Sequence, residues 1–140
     1  MGINELKKIG FQKSGSIIEI EPTAHKVKVG FELESGLSTD PHVYVWVDVT
    51  DNNNIVVLYC GRAGKGIKQR MSQHKSGFKG DDNSGSASGK RKHDFLIEKL
   101  DKKRKIEVWS KSSHNLEEEG KYLKKFSAKV NYWLYLNRMI

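Results

Sequence analysis

Apolar residues near the start of the chain recur at helical spacing. Ile3, Leu6 and Ile9 share one face of a run that stops at Gly10, which predicts a short amphipathic helix over residues 3–9. The period then changes. Ile17-Ile18-Glu19-Ile20-Glu21, stopped by Pro22, reads as a strand, and the alternation that opens at Lys26-Val27-Lys28-Val29 reads as a second over residues 26–33. The two are expected to form a hairpin, with Gly36 through Pro41 as a loop.

The sharpest alternation follows. In His42-Val43-Tyr44-Val45-Trp46-Val47-Asp48-Val49 the valines fall on one face, and Tyr44, Trp46 and Asp48 on the other. Asp51-Asn52-Asn53-Asn54 is turn chemistry, so residues 42–49 and 55–61 should pair as an antiparallel hairpin. Ile55-Val56-Val57-Leu58-Tyr59 is apolar throughout, which predicts a strand covered on both faces in the middle of a sheet. Gly61, Gly64 and Gly66 punctuate its exit. Ile67, Arg70, Met71 and His74 then recur at helical spacing over residues 66–76, which places Arg70 and His74 one turn apart.

From Ser76 to Gly89 the chain is mostly Gly, Ser, Asp and Asn and reads as a long loop, ending in Lys90-Arg91-Lys92-His93. A helix follows, with Phe95, Leu96, Ile97 and Leu100 apolar and Lys99, Lys102, Lys103 and Arg104 exposed. Ile106 to Ser110 alternates as a strand. Asn115, with Glu118 three residues on, resembles a capping box and opens a helix through Leu116, Tyr122, Leu123 and Phe126. The tail, with Trp133, Leu134 and Leu136, is expected to close the fold as a helix or strand. The element types together predict an α+β domain with a mainly antiparallel sheet.

Composition adds a partner to this picture. The chain has 140 residues, 36% hydrophobic and 30% charged, enough for one domain with one core. Its formal net charge is +8, and residues 62–111 alone hold fifteen basic and six acidic side chains. Concentration of charge in one segment points to a polyanion, nucleic acid above all, rather than to solubility alone. Cys60 is the only cysteine, which excludes an internal disulfide and a Cys-rich zinc site and suits a reducing compartment. Met1 to Phe11 lacks the apolar core of a signal peptide, and the longest apolar run, Ile55 to Cys60, is far short of a membrane span. A cytoplasmic protein without a membrane partner is expected.

The turn Gly61-Arg62-Ala63-Gly64-Lys65-Gly66 fails as a nucleotide-triphosphate loop. Two residues rather than four separate its first Gly from the Gly-Lys pair, and Gly66 stands where Ser or Thr is needed. A basic turn at a helix start can still hold a nucleic-acid phosphate.

Two tyrosine-bearing strands, an arginine helix and a late carboxylate together resemble the GIY-YIG nuclease family. His42-Val43-Tyr44 stands at the first signature triplet and Tyr59-Cys60-Gly61 at the second. Arg70 comes eleven positions after Tyr59, and His74 four after that. Glu119 is followed by Tyr122-Leu123 and, twelve residues after Glu119, by Asn131. The likeness covers about residues 42–131. It departs from the family in His42-Val43 for Gly-Ile, in one extra residue before Arg70, and in Ala128 near the place of a usual Pro. Singly, each residue has an ordinary reading. Strand tyrosines are common sheet residues, and Glu117 to Glu119 in a first helical turn suit the helix dipole. Their joint order carries the resemblance.

The resemblance implies a three-stranded, mainly antiparallel sheet flanked by helices over residues 41–140, with residues 1–40 as a helix and hairpin extension. It implies a metal-dependent DNA endonuclease. Glu119, or Glu118 one position away, would hold one Mg²⁺ or Mn²⁺. Tyr59 would take a proton from the attacking water, and Arg70 would pair with the scissile phosphate. Tyr44 and His74 would hydrogen-bond the phosphate, the water or Tyr59, and Asn131 would support the site. Arg62, Lys65, Lys90, Arg91, Lys92, Lys102 and Lys103 would grip the DNA backbone. Cutting both strands with one site per chain is a reason to expect a homodimer. The rival readings are a non-catalytic nucleic-acid-binding module and an interaction protein with incidental charge.

Overall fold

The computed structural model describes residues 1–79 and 87–126. In chain order the elements are α1 (Ile3–Lys8), β1 (Gln12–Glu19), β2 (Val29–Leu33), β3 (His42–Asp48), β4 (Val56–Ala63), α2 (Ile67–Gly77), α3 (Ala87–Asp101), β5 (Ile106–Ser112) and α4 (Glu118–Phe126). The strands form one sheet in the order β2-β1-β5-β3-β4, antiparallel at every pairing. The fold is α+β. The sheet has five strands where three were expected, because β1 pairs with β5 from Gln12↔Ser110 to Ile17↔Ile106. The N-terminal hairpin thus continues the main sheet. The tail from residue 127 on, Asn131 included, lies outside the described residues, as do residues 80–86 of the Gly/Ser-rich stretch.

β4 corrects another expectation. It lies at the edge of the sheet, not in its middle. Its unbroken apolar run is explained by cover on both faces, with helix residues from α2 on one side and from α4 on the other. Burial of both faces needs a layer above and a layer below; it does not need a strand on each side.

The two faces have separate cores. One gathers Tyr44, Trp46, Leu58, Tyr59 and Ala63 with Ile67 and Met71 of α2 and Leu96 of α3. The other gathers Val43, Val45, Val47, Val57 and Cys60 with Leu6 of α1 and Tyr122 and Leu123 of α4. The alternation along β3 sorts its side chains between these cores as the sequence pattern predicts. In β4 the sorting is interrupted. Trp46 pairs with Tyr59 and Val47 with Val57, so Leu58 is an extra residue and forms a β-bulge. Strict alternation would send Tyr59 to the same face as Val57. The bulge re-aims it, and Leu58 and Tyr59 both enter the core beneath α2 and α3.

Candidate active site

Tyr44 and Tyr59 come together because β3 and β4 are adjacent and the bulge turns Tyr59 to the Tyr44 side. Their ring centroids lie 6.1 Å apart. Tyr44 lies across the strand, directly over Gly61, its register partner. A Cβ at Gly61 would stand 2.5 Å from the Tyr44 hydroxyl oxygen, so the glycine of the second triplet makes the room that the first tyrosine occupies.

The following helix is aimed by Gly66. Its φ of 96° is the left-handed region that glycine favours, and a Cβ there would stand 2.6 Å from the Ser38 carbonyl oxygen. From that start, α2 turns Met71 and His74 inward, with Arg70 at the margin. His74 Nε2 and the Tyr44 hydroxyl are hydrogen-bonded at 2.5 Å. The imidazole also stands edge-on to Tyr59 at 5.3 Å and to Trp46 at 4.7 Å between centroids. The Arg70 guanidinium interacts with both phenolic oxygens, and its Nη1 donates to the Gln73 side chain at 3.1 Å.

The protonation states follow from this packing. Burial, helped by the Arg70 and Lys92 charges, pushes His74 down to about 3, so its imidazole is neutral at physiological pH. Burial, and then the neighbouring Tyr59, raise Tyr44 well above the usual phenol value despite Arg70, so Tyr44 keeps its proton. Burial alone would lower Arg70, but the two tyrosines more than offset it, and it stays charged.

α3 contributes one cation to this cluster. The Lys92 ammonium lies 4.8 Å from the centre of the Tyr59 ring. Lys92 is partly buried and makes no ion pair among the described residues. The neighbouring basic residues are placed otherwise. Lys90 is paired with Asp94 at 3.4 Å, and Lys102 with Glu98 at 3.1 Å. Arg91, Lys65 and Lys103 are exposed, with Lys103 in the turn that ends α3. Arg62 is turned to the other face, where it donates to the Asn115 carbonyl at 3.1 Å.

Trp46 is a member of the cluster that the sequence pattern did not single out. It stacks on Tyr59 at 4.5 Å, and its buried Nε1 has no hydrogen-bond partner. Its parity with Tyr44 in β3 was the available signal. The buried Nε of Arg70 is likewise unpartnered.

No protein-family model, curated protein or solved structure matches the chain.

Glu118 and Glu119 lie on an element packed against the opposite face of the sheet from the tyrosines. α4 packs on the valine side of the sheet through Tyr122 and Leu123, and the Cys60 thiol donates to the Glu119 carbonyl at 3.7 Å. Cys60 belongs to that same core, and burial, with the Glu119 charge adding to it, raises its thiol to about 12. Glu118 faces Lys111, whose ammonium donates to the Tyr122 hydroxyl at 2.8 Å, and one buried Glu118 oxygen has no hydrogen-bond partner. Tyr44, Arg70 and His74 are acted on, among the described residues, by one another, by Tyr59 and by Lys92. Among the described residues no group of three or more His, Cys, Asp or Glu side chains is placed to hold a metal ion. The donor set around the tyrosines, two phenols and a neutral imidazole beside two cations, repels a divalent cation and suits an anion. Tyr44, Tyr59, Arg70, His74 and Lys92 by themselves supply no site for Mg²⁺ or Mn²⁺, and no chemical step is assigned to a metal held by Glu119 or Glu118.

No helix among the described residues is long and apolar enough to cross a membrane.

Proposed function

We propose that the chain is a DNA endonuclease of the GIY-YIG kind, whose scissile phosphate is held on the α2/α3 side of the sheet. One observation carries the reading. Tyr44, Tyr59, Arg70 and His74, picked out in the sequence by order and spacing alone, converge on one cluster. That cluster holds Arg70 and Lys92, cations that make no ion pair among the described residues.

A partly buried charge without a counterion is costly, and a bound anion removes that cost. Arg70 offers planar donors suited to two phosphate oxygens. Tyr59 is the less buried tyrosine, at 7% exposure against none for Tyr44, and the contact with the attacking water is assigned to it. The proton of the attacking water passes through the Tyr59 oxygen to solvent. Tyr44 and His74 hold one another by their hydrogen bond. With Tyr44 protonated and His74 neutral, the pair fixes the cluster without adding charge. Developing charge on the phosphate is met by Arg70, the kind of fixed electrostatic contact that dominates such reactions.

The test is nicking of supercoiled plasmid, run with Mg²⁺, with Mn²⁺ and with EDTA. Cleavage by the wild type, lost in Arg70→Ala while DNA is still retarded in a gel, is the expected result. The metal arms separately decide whether a divalent ion takes part.

A second reading, a nucleic-acid-binding module without catalysis, is favoured by the packing of the helix that carries Glu118 and Glu119 on the face away from the tyrosines. Intact plasmid in every metal, with salt-sensitive binding retained, selects it. Absence of binding at low salt removes both readings.

A further inference from the structure

We propose that Lys92 is a catalytic residue, the general acid that protonates the departing oxygen of the scissile phosphodiester. The proposal rests on the endonuclease reading and adds to it the group on the leaving side of the reaction.

Displacement at phosphorus has two ends, one where water attacks and one where an alkoxide leaves, and the cations of the cluster arrive from two directions. α2 supplies Arg70 and His74, and both act around the tyrosine hydroxyls. Lys92 comes from a different helix, α3, and its ammonium lies 4.8 Å from the centre of the Tyr59 ring. Its charge acts on His74 as well, so the ammonium lies near both Tyr59 and the imidazole. Lys90 of α3 is tied to Asp94 one turn on, and Lys102, just past the end of the helix, is tied back to Glu98. Lys92 has no such tie among the described residues and is partly buried, so its ammonium is held near the reaction without being neutralised.

The rest of the cluster lacks an acid for this task. Arginine does not release its proton in proteins. His74 is neutral, and its Nε2 is engaged with Tyr44. Tyr44 is wholly buried and keeps its proton. Lysine, by contrast, can give up a proton and take it back.

Atoms and charge balance in the step. Water oxygen forms a bond to phosphorus, and its proton leaves through the Tyr59 oxygen to solvent. The bond from phosphorus to the departing ester oxygen breaks. That oxygen takes a proton from the Lys92 ammonium and leaves as an alcohol, and the neutral amine recovers a proton from solvent. No electrons are transferred to or from a third molecule.

The experiment compares ordinary DNA with DNA carrying one bridging sulfur at the cleaved bond, placed at the 5′ position in one substrate and at the 3′ position in another. A thiolate leaves without protonation. Lys92→Arg keeps the charge over Tyr59 but cannot act as an acid, and Lys92→Met removes both. On ordinary DNA each variant should lose about 10²–10⁴-fold in cleavage rate. On the bridging-sulfur substrate matching the leaving position, each should recover to within about tenfold of wild type, because general-acid catalysis is no longer needed there. Lys92→Arg should bind DNA as wild type does, which checks that its fold is intact. Equal losses on ordinary and both sulfur-bridged substrates, or no loss on any, would overturn the assignment while wild-type cleavage left the endonuclease reading standing. If wild type cleaves none of the substrates, the endonuclease reading fails, and the Lys92 assignment with it.

Discussion

The two faces of the sheet share the same strands but differ in the polar groups they leave unpaired. On the valine face most polar side chains are paired. Trp109 Nε1 donates to Glu107 at 2.9 Å, Glu107 meets the Lys13 ammonium at 3.2 Å, and Lys111 donates to Tyr122 at 2.8 Å. One Glu118 oxygen, at the start of α4, is the exception. On the tyrosine face, Trp46 Nε1 and Arg70 Nε are buried without partners, and Arg70 and Lys92 are cations without acids among the described residues. An unsatisfied buried donor costs about 1–3 kcal/mol. Two of them beside cations without acids on one face, among the described residues, are what the proposed phosphate contact would satisfy.

Removing a charge from the tyrosine face is the severest test of this contrast. Arg70→Ala should lower plasmid cleavage by about 10²–10³-fold, the range for loss of one fixed donor at developing charge. It should also lower the slope of log Kobs against log[salt] by about one, since one phosphate is no longer neutralised. The slope is read from DNA-binding titrations between low and physiological salt. Unchanged cleavage in a folded Arg70→Ala protein would move the chemistry off this face.

His74 gives the next effect, on stability. Its value falls from 6.5 in the free side chain to about 3 in the folded protein, so between those values the unfolded chain binds the proton more readily. The contribution is therefore complete above pH 6.5 and is lost as pH falls toward about 3. The loss should be on the order of a few kcal/mol across that window. Urea unfolding of wild type and His74→Gln at pH 7, 5 and 4, midpoints compared, isolates this part from the titration of carboxylates. Parallel curves for the two proteins would contradict it.

A smaller effect is expected at Gly61. A methyl group there meets the Tyr44 hydroxyl at 2.5 Å, so Gly61→Ala must displace the tyrosine or bend β4. Overpacking of this kind costs about 1–3 kcal/mol. The denaturation midpoint should drop, and cleavage should drop further than stability explains, because the Tyr44–His74 hydrogen bond moves with the ring. A substitution that stabilised the protein would show that the glycine serves something other than Tyr44.

Much of this contrast was legible in the residue pattern. Period-two alternation in β3 sorted Val43, Val45 and Val47 from Tyr44 and Trp46, and helical spacing placed Arg70 and His74 on one turn. Long-range pairing was not legible. Nothing local to Gln12–Glu19 says that β1 finds β5, so the sheet came out two strands wider than expected. The apolar run of β4 recorded cover on both faces and not position in the sheet. The bulge at Leu58 was hidden for a related reason. An inserted residue shows only against a partner strand, yet it decides the face of Tyr59. The side on which α4 packs is also a tertiary choice. Its apolar residues Tyr122 and Leu123 say that it packs, and only the sheet says where.

That last choice sets the smallest predicted effect. Glu119 stands beside Cys60, in the valine-face core, while the charges acting on the tyrosine cluster come from Arg70 and Lys92. Glu119→Gln should therefore leave the salt slope of DNA binding unchanged and lower cleavage by less than about tenfold, well under the loss from a group aimed at the transition state. A second readout is local to the valine face. Burial and then the Glu119 charge hold the Cys60 thiol up at about 12, so removing that charge shifts the thiol downward. Titration of the thiolate in folded Glu119→Gln, followed by its ultraviolet absorbance against a Cys60→Ala control, should give a lower midpoint than in wild type. The two readouts together locate the carboxylate. A lower thiol midpoint with little loss of cleavage keeps Glu119 on the valine side. A cleavage loss as deep as that of Arg70→Ala would mean that the first turn of α4 reaches around the β4 edge to the tyrosines. The separation of the faces would then break at that one residue, and a divalent ion would regain a ligand within reach of the phosphate.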